Sequence, residues 1–177
     1  MVARAGRWFA WVIVRGRLRV GAGDFFLGPM EAFLEEDEMA TGASFGCFPA
    51  GTGTAFAEST RRHGDYALAG VAAAVTVVDG LVTSARVSFV SVTSTPGVLD
   101  LREPFAGIAP EDCDWAGAAE LARKNVDPDS DIHARAAYRR MLGGVLTARV
   151  LAEAAAKATA SSIGNAGVGA NPTGSGL

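Results

Sequence analysis

The densest group of chemically capable side chains is the hexapeptide Arg61-Arg62-His63-Gly64-Asp65-Tyr66. Two guanidiniums beside a glycine can grip a phosphate or a carboxylate, and a phenol ring can stack on a flat ligand. The same residues admit a structural reading, in which Asp65 pairs with one arginine to fix the loop and Tyr66 enters the core. Residue types alone leave both open. Other candidate groups are weaker. The two histidines, His63 and His133, have no carboxylate or second histidine at ligand spacing, which argues against a metal site. The acidic block Glu35-Glu36-Asp37-Glu38 reads as a solvated turn, because consecutive side chains diverge and cannot converge on one cation. Gly51-x-Gly53 lacks the third glycine of a dinucleotide fingerprint, Phe56 standing in its place, and reads as a hairpin loop. No serine or cysteine lies in a nucleophile elbow.

The chain is 177 residues long and 49% apolar, enough for one domain with a real core. Its net charge of −3, with both signs interspersed, gives no electrostatic footprint for nucleic acid. Cys47 and Cys113 are far apart and have no CxxC partner, which fits a reduced, cytoplasmic setting. The apolar run Trp8 to Val14 is too short to span a bilayer, and arginines follow it where a signal peptide would carry a cleavage site. It reads as a strand, so no membrane span is expected.

The hexapeptide needs elements to hold it. Thr54 to Thr60 alternates, with Ala55, Ala57 and Ser59 on one face, and delivers the chain to the loop. Val71 to Val78 is a continuous apolar run, as expected of a strand covered on both faces. Asp79-Gly80 is a type I′ hairpin turn, and Leu81 to Val92 returns with Ala85, Val87 and Phe89 inward. Residues 1–20 read as a remnant strand or linker, with 8–20 forming an edge strand or irregular hairpin. Phe25 and Phe26 are expected to be buried, and Thr41 to Phe48 to form a short strand. Thr95-Pro96 is expected to end the sheet and Val98 to Phe105 to form a short helix. Asp114 caps a helix through Lys124.

A last helix starts at Ser130 or Asp131 and reaches about Ala158, with Ala134, Tyr138, Met141, Leu142, Val145, Ala148 and Ala152 as its inner face. Gly143-Gly144 within it marks close packing against another backbone, or a bend. Residues 159–177 have almost nothing to bury and are expected to be a disordered tail. Strands followed by helices make an α+β domain, a three- to four-stranded antiparallel sheet packed with C-terminal helices, over residues 21–158.

Several separated motifs then agree. They are Asp24-Phe25-Phe26-Leu27-Gly28 with the acidic turn to Glu38, Ala55-Phe56, and Arg61-Arg62-x-Gly64-Asp65-Tyr66-Ala67. Val71-Ala72-Ala73, Thr95-Pro96, Glu103 with Gly107, and Asp131-x-His133 with Tyr138-Arg139-Arg140 complete the set. In order and spacing, over about residues 18 to 156, the sequence resembles the C-terminal domain of the FAD-binding subunit of molybdenum hydroxylases. That group includes aerobic carbon monoxide dehydrogenase and xanthine dehydrogenase.

The resemblance implies part of an oxidoreductase flavoprotein that takes electrons from iron–sulfur clusters and passes them to an acceptor. In relatives the loop matching Arg61 to Tyr66 lies close to the flavin, which makes Arg61, Arg62, Gly64, Asp65 and Tyr66 the candidate FAD-side residues. The glycine-rich loops that hold the FAD pyrophosphate in this family belong to two preceding subdomains not represented in these 177 residues. FAD is therefore expected in the complete subunit, with weak or no binding by this chain alone, and the chain is not expected to be active by itself. Ala40 stands where relatives commonly carry leucine, and Ala57 where some carry a lysine beside the flavin. The implied partners are a molybdopterin-binding large subunit, an iron–sulfur (2Fe-2S) small subunit and the missing N-terminal FAD-binding half. The alternative is a non-catalytic docking module for the other hydroxylase subunits.

Overall fold

The computed structural model describes residues 9–13 and 17–166. Among them the central element is a four-stranded antiparallel sheet of β6 (Thr52–Ser59), β7 (Ala69–Val78), β8 (Leu81–Val90) and β9 (Val98–Asp100), in that spatial order. The β7–β8 turn is built as its sequence demands, with φ 52° at Asp79 and 79° at Gly80.

Register explains the two faces. Ala55, Ala73, Val87 and Leu99 sit opposite one another in one cross-strand row, and the neighbouring row is Phe56, Ala72, Ser88 and Val98. The first row belongs to the core with Leu146, Val150, Leu151, Ala154, Ala155 and Ala158, all from the helix α4 (Ala136–Ala166). The second row faces away from α4. Ala72 and Ser88 are nonetheless buried. On the same face Arg86 Nε donates to Asp100 Oδ2 at 3.1 Å, tying β8 to β9.

α4 lies very close to the sheet. Gly53 is buried in β6, and a Cβ there would collide with the Ala154 carbonyl oxygen and the Ala158 amide nitrogen. The glycine expected in a hairpin loop is a strand residue, present because no side chain fits between strand and helix. Gly144 does the same between α4 and α3 (Trp115–Asn125), where a Cβ would stand 3.0 Å from the Ala119 carbonyl oxygen. Asp114 caps α3 by accepting from the Gly117 N–H at 2.9 Å, as its position before the helix predicts.

Other expectations are corrected. The inner face of α4 is Arg139, Gly143, Leu146, Thr147, Val150, Ala154 and Ala158, while Tyr138, Met141 and Val145 are exposed. Close approach at Gly53 selects the small Ala154 and Ala158 for that contact. Pro96 does not end the sheet: β9 follows it as an edge strand, and only Arg102–Phe105 is helical, as α2.

Phe25 and Phe26 are half-buried, packed edge to face with centroids 5.1 Å apart. They join α1 (Ala22–Phe25) to β3 (Phe26–Gly28), which pairs with β4 (Glu31–Ala32). Of the expected Thr41 to Phe48 strand only residues 41–43 form, within β5 (Ala40–Ala43), which pairs with β1 (Phe9–Ile13). β1 in turn pairs antiparallel with β2 (Arg17–Gly21), in the stretch read as an edge strand or irregular hairpin. α4 continues through residues 159–166, which the composition places in a tail; the rest of that tail, 167–177, lies outside the described residues.

Candidate functional site

The Arg61–Tyr66 loop joins β6 to β7 at one end of the sheet. Its base is closed by the Leu68 N–H donating to the Ser59 carbonyl at 2.8 Å, and a turn is set by Asp65 N–H to the Arg62 carbonyl at 3.1 Å. Gly64 has φ +90°, a left-handed value that favours glycine. All six residues are exposed, Tyr66 to 97%. Among the described residues no ion pair joins Asp65 to Arg61 or Arg62. The structural reading of the loop therefore fails on both counts: Tyr66 is not core, and the arginines are not spent on Asp65.

Beneath the loop lies a residue that periodicity missed. Arg139, on α4, is only 7% exposed. Its Nη1 donates to the Leu68 carbonyl at 2.8 Å and to the Ser91 carbonyl at 3.1 Å, and its Nη2 donates to Asp131 Oδ2 at 2.6 Å. Ser91 follows β8 with φ 61°, a left-handed turn that aims its carbonyl at the guanidinium. The other Asp131 oxygen accepts the N–H groups of His133 (2.8 Å) and Ala134 (2.9 Å). These donors, the Ala134 amide foremost and then Arg139, hold the Asp131 carboxyl well below the ordinary carboxylate range. Three chain segments thus meet on one arginine. The available signal was the motif Asp131-x-His133 with Tyr138-Arg139-Arg140, which contains both the arginine and the carboxylate it binds.

The remaining candidates stay apart. The acidic turn of residues 35–38 is mostly exposed, with the Glu35 N–H bonded to Glu38 Oε2 at 3.0 Å. Among the described residues no three His, Cys, Asp or Glu side chains converge as metal ligands. Cys47 is exposed and Cys113 buried, both as free thiols. An open groove of about 810 Å³ lies between β9, α2 and α3. Its central carboxylate, Asp100, is already engaged by Arg86 and by the Arg102 N–H at 2.9 Å.

A flavin dinucleotide needs a planar contact, cations and a cradle for its pyrophosphate. The loop carries exposed side chains of the first two kinds, Tyr66 and the pair Arg61 and Arg62. The cradle is another matter: the first turn of α3 is occupied by Asp114, and the Ala136 N–H that opens α4 donates to Ser130 Oγ at 2.9 Å. The described residues therefore fit one edge of such a cofactor and not its diphosphate.

Comparison with known proteins identifies the family. Residues 54–154 match the family described as CO dehydrogenase flavoprotein C-terminal domain. The nicotine 6-hydroxylase medium subunit of Paenarthrobacter nicotinovorans is 34% identical over 147 residues, covering 81% of this chain and 50% of that protein. The carbon monoxide dehydrogenase medium chain of Afipia carboxidovorans is 29% identical over 78% of this chain and 49% of its own length. Among solved structures, quinoline 2-oxidoreductase from Pseudomonas putida 86 superposes with a TM-score of 0.76 at 30% identity, covering 86% of this chain and 53% of that one. The chain spans about half the length of the curated relatives it matches. Among the described residues no helix is long and apolar enough to cross a membrane. With the α+β fold, the matched residues and the solved relatives in agreement, this chain belongs to the CO dehydrogenase flavoprotein C-terminal domain family, the C-terminal domain of the FAD-binding subunit of molybdenum hydroxylases.

Proposed function

We propose that the chain supports FAD-mediated electron transfer from iron–sulfur clusters to an acceptor, and that its Arg61–Tyr66 loop forms one edge of the flavin site. The observation that carries this reading is the exposure of the whole loop, with Tyr66 97% accessible and neither arginine paired to Asp65. When bound, FAD supplies the redox chemistry. The protein's part is to present Tyr66 to a ring face and Arg61 and Arg62 to anionic groups, with Gly64 and Asp65 shaping the turn between them. The pyrophosphate is held by the N-terminal FAD-binding half, and the working assembly includes a molybdopterin-binding large subunit and a 2Fe-2S small subunit in the cytoplasm. The two free thiols are compatible with that compartment.

Flavin titration of this chain tests the division of labour. A dissociation constant weaker than about 1 μM is expected, and tighter binding would refute the claim that the cradle lies elsewhere. In a complex reconstituted with the other half, Tyr66→Ala is expected to slow flavin reduction, and an unchanged rate would remove Tyr66 from the site.

A second reading, a docking module without redox activity, is favoured by one observation. Leu27, Met30, Phe33, Met39 and Phe45 are all exposed in the segment before β6, an apolar surface suited to a partner. Pull-down with the other subunits separates the readings, because a flavin-free, redox-inactive complex supports docking alone.

A further inference from the structure

We propose that Arg139 is a positioning residue that makes the Arg61–Tyr66 loop and the Asp131–Ala134 turn one mechanical unit. The functional meaning rests on the reading of that loop as ligand-facing; the coupling itself rests on the geometry alone.

Arg139 serves three acceptors from three segments: the Leu68 carbonyl at the end of the loop, the Ser91 carbonyl beyond β8, and the Asp131 carboxylate before α4. Leu68 and Ser91 lie 71 and 48 residues away in sequence, so no local element would otherwise tie them to α4. Its third nitrogen, Nε, is buried without a partner. An arginine placed for its own best solvation would not leave an N–H orphaned; this one is placed by what its two terminal nitrogens hold. Lysine cannot substitute, since a single ammonium does not span the same planar fork. Asp131 is the far end of the linkage. Its second oxygen organises the amides of His133 and Ala134, so the guanidinium is attached to an ordered turn and not to a free carboxylate. The guanidinium is thus bonded to two carbonyls and one carboxylate, and His133 is exposed.

The inference concerns transmission. A ligand that orders the loop through Arg61, Arg62 or Tyr66 restrains Leu68, and through Arg139 restrains the Asp131 turn. Amide hydrogen–deuterium exchange of the full chain, without flavin, tests this on Arg139→Lys and Asp131→Asn. Asp131→Asn is the sharper variant, because among the described residues its carboxylate bonds only Arg139, His133 and Ala134. We expect it to raise exchange at Asp65 and Leu68 by about fivefold or more, while the interior of β7 from Val71 to Val77 is unchanged. Arg139→Lys is expected to give a larger and equally selective rise. Exchange confined to residues 131–134 in Asp131→Asn would overturn the proposal, as would a loop response that only tracks β7. Should Arg139→Lys not fold, Asp131→Asn keeps the arginine and its two carbonyls and decides the question. An unchanged rate of flavin reduction in Tyr66→Ala would remove Tyr66 from the flavin site and leave this exchange measurement untouched, so the two readings fail separately.

Discussion

Gly53→Ala carries the strongest quantitative consequence of the fold. The added methyl would meet the Ala154 carbonyl oxygen and the Ala158 amide nitrogen, and stand 3.0 Å from the Lys157 carbonyl carbon. All three are backbone atoms, so no rotamer change clears the space and α4 must retreat by a distance on the order of 1 Å. That retreat loosens Ala154, Ala155 and Ala158 against the sheet. Overpacking of this kind costs about 3 kcal/mol at the upper end of its usual range, and alanine's advantage over glycine in a strand returns about 0.5–1 kcal/mol. The net expectation is a loss of about 2 kcal/mol, or a Tm fall of roughly 4–8 °C for a chain of this size. Urea denaturation followed by circular dichroism measures it, with the m-value held constant. Gly97→Ala is the control, because a Cβ there meets nothing within 4 Å. A loss below about 0.5 kcal/mol in Gly53→Ala, within the range of an ordinary surface substitution, would refute the close contact of strand and helix.

Three further outcomes follow from the loops and thiols. Tyr66→Ala is expected to change stability by less than about 0.5 kcal/mol, measured by the same denaturation, whereas a core tyrosine would cost several times more. The Asp131 carboxyl titrates lower in the folded chain than the ordinary aspartate value of about 3.9, so its contribution is complete above that pH and is lost as pH falls toward the folded value. The backbone NMR shifts of His133 and Ala134 are expected to hold through pH 4 and move only below it; a midpoint near pH 4 would contradict the three hydrogen bonds. Burial, and then the charges of Asp112 and Glu111, push the Cys113 thiol up. Maleimide at neutral pH is therefore expected to label Cys47 at least about a hundredfold faster than Cys113, and equal rates would place Cys113 at the surface.

Elements governed by local chemistry were legible in the sequence. Asp79-Gly80 demands positive φ, and Asp114 sits one residue before an alanine-rich helix; both do what their types require. The alternation of Ala85, Val87 and Phe89 against Ser84, Arg86 and Ser88 fixed the faces of β8. The inner face of α4 was not legible, because hydrophobic periodicity rewards Tyr138, Met141 and Val145 while the contact with Gly53 required alanines. β9 was obscured by Pro96, which precedes the strand instead of interrupting it. At the candidate site the loop was found from its residue types, but the choice between core and solvent for Tyr66 depended on packing that composition does not encode. The burial of Arg139 was hidden for a related reason: a charge is expected outside, and three acceptors brought together by tertiary structure bring it in.

The turn at Asp79 and Gly80 also bears on the order in which the molecule assembles. β7 and β8 are ten-residue strands joined by a two-residue connection, so their pairing closes the shortest loop for the largest number of ladder bonds. α4 must instead return across the whole intervening chain to seat Ala154 and Ala158 on Gly53, a closure that costs more entropy and completes later. Substitutions at Val75 or Val87 are therefore expected to slow refolding, and substitutions at Ala154 chiefly to speed unfolding, with the reverse pattern in chevron kinetics counting against a hairpin-first route. On that order the Arg61–Tyr66 loop closes when β6 pairs with β7, and the bond from Arg139 to the Leu68 carbonyl is added only when α4 docks.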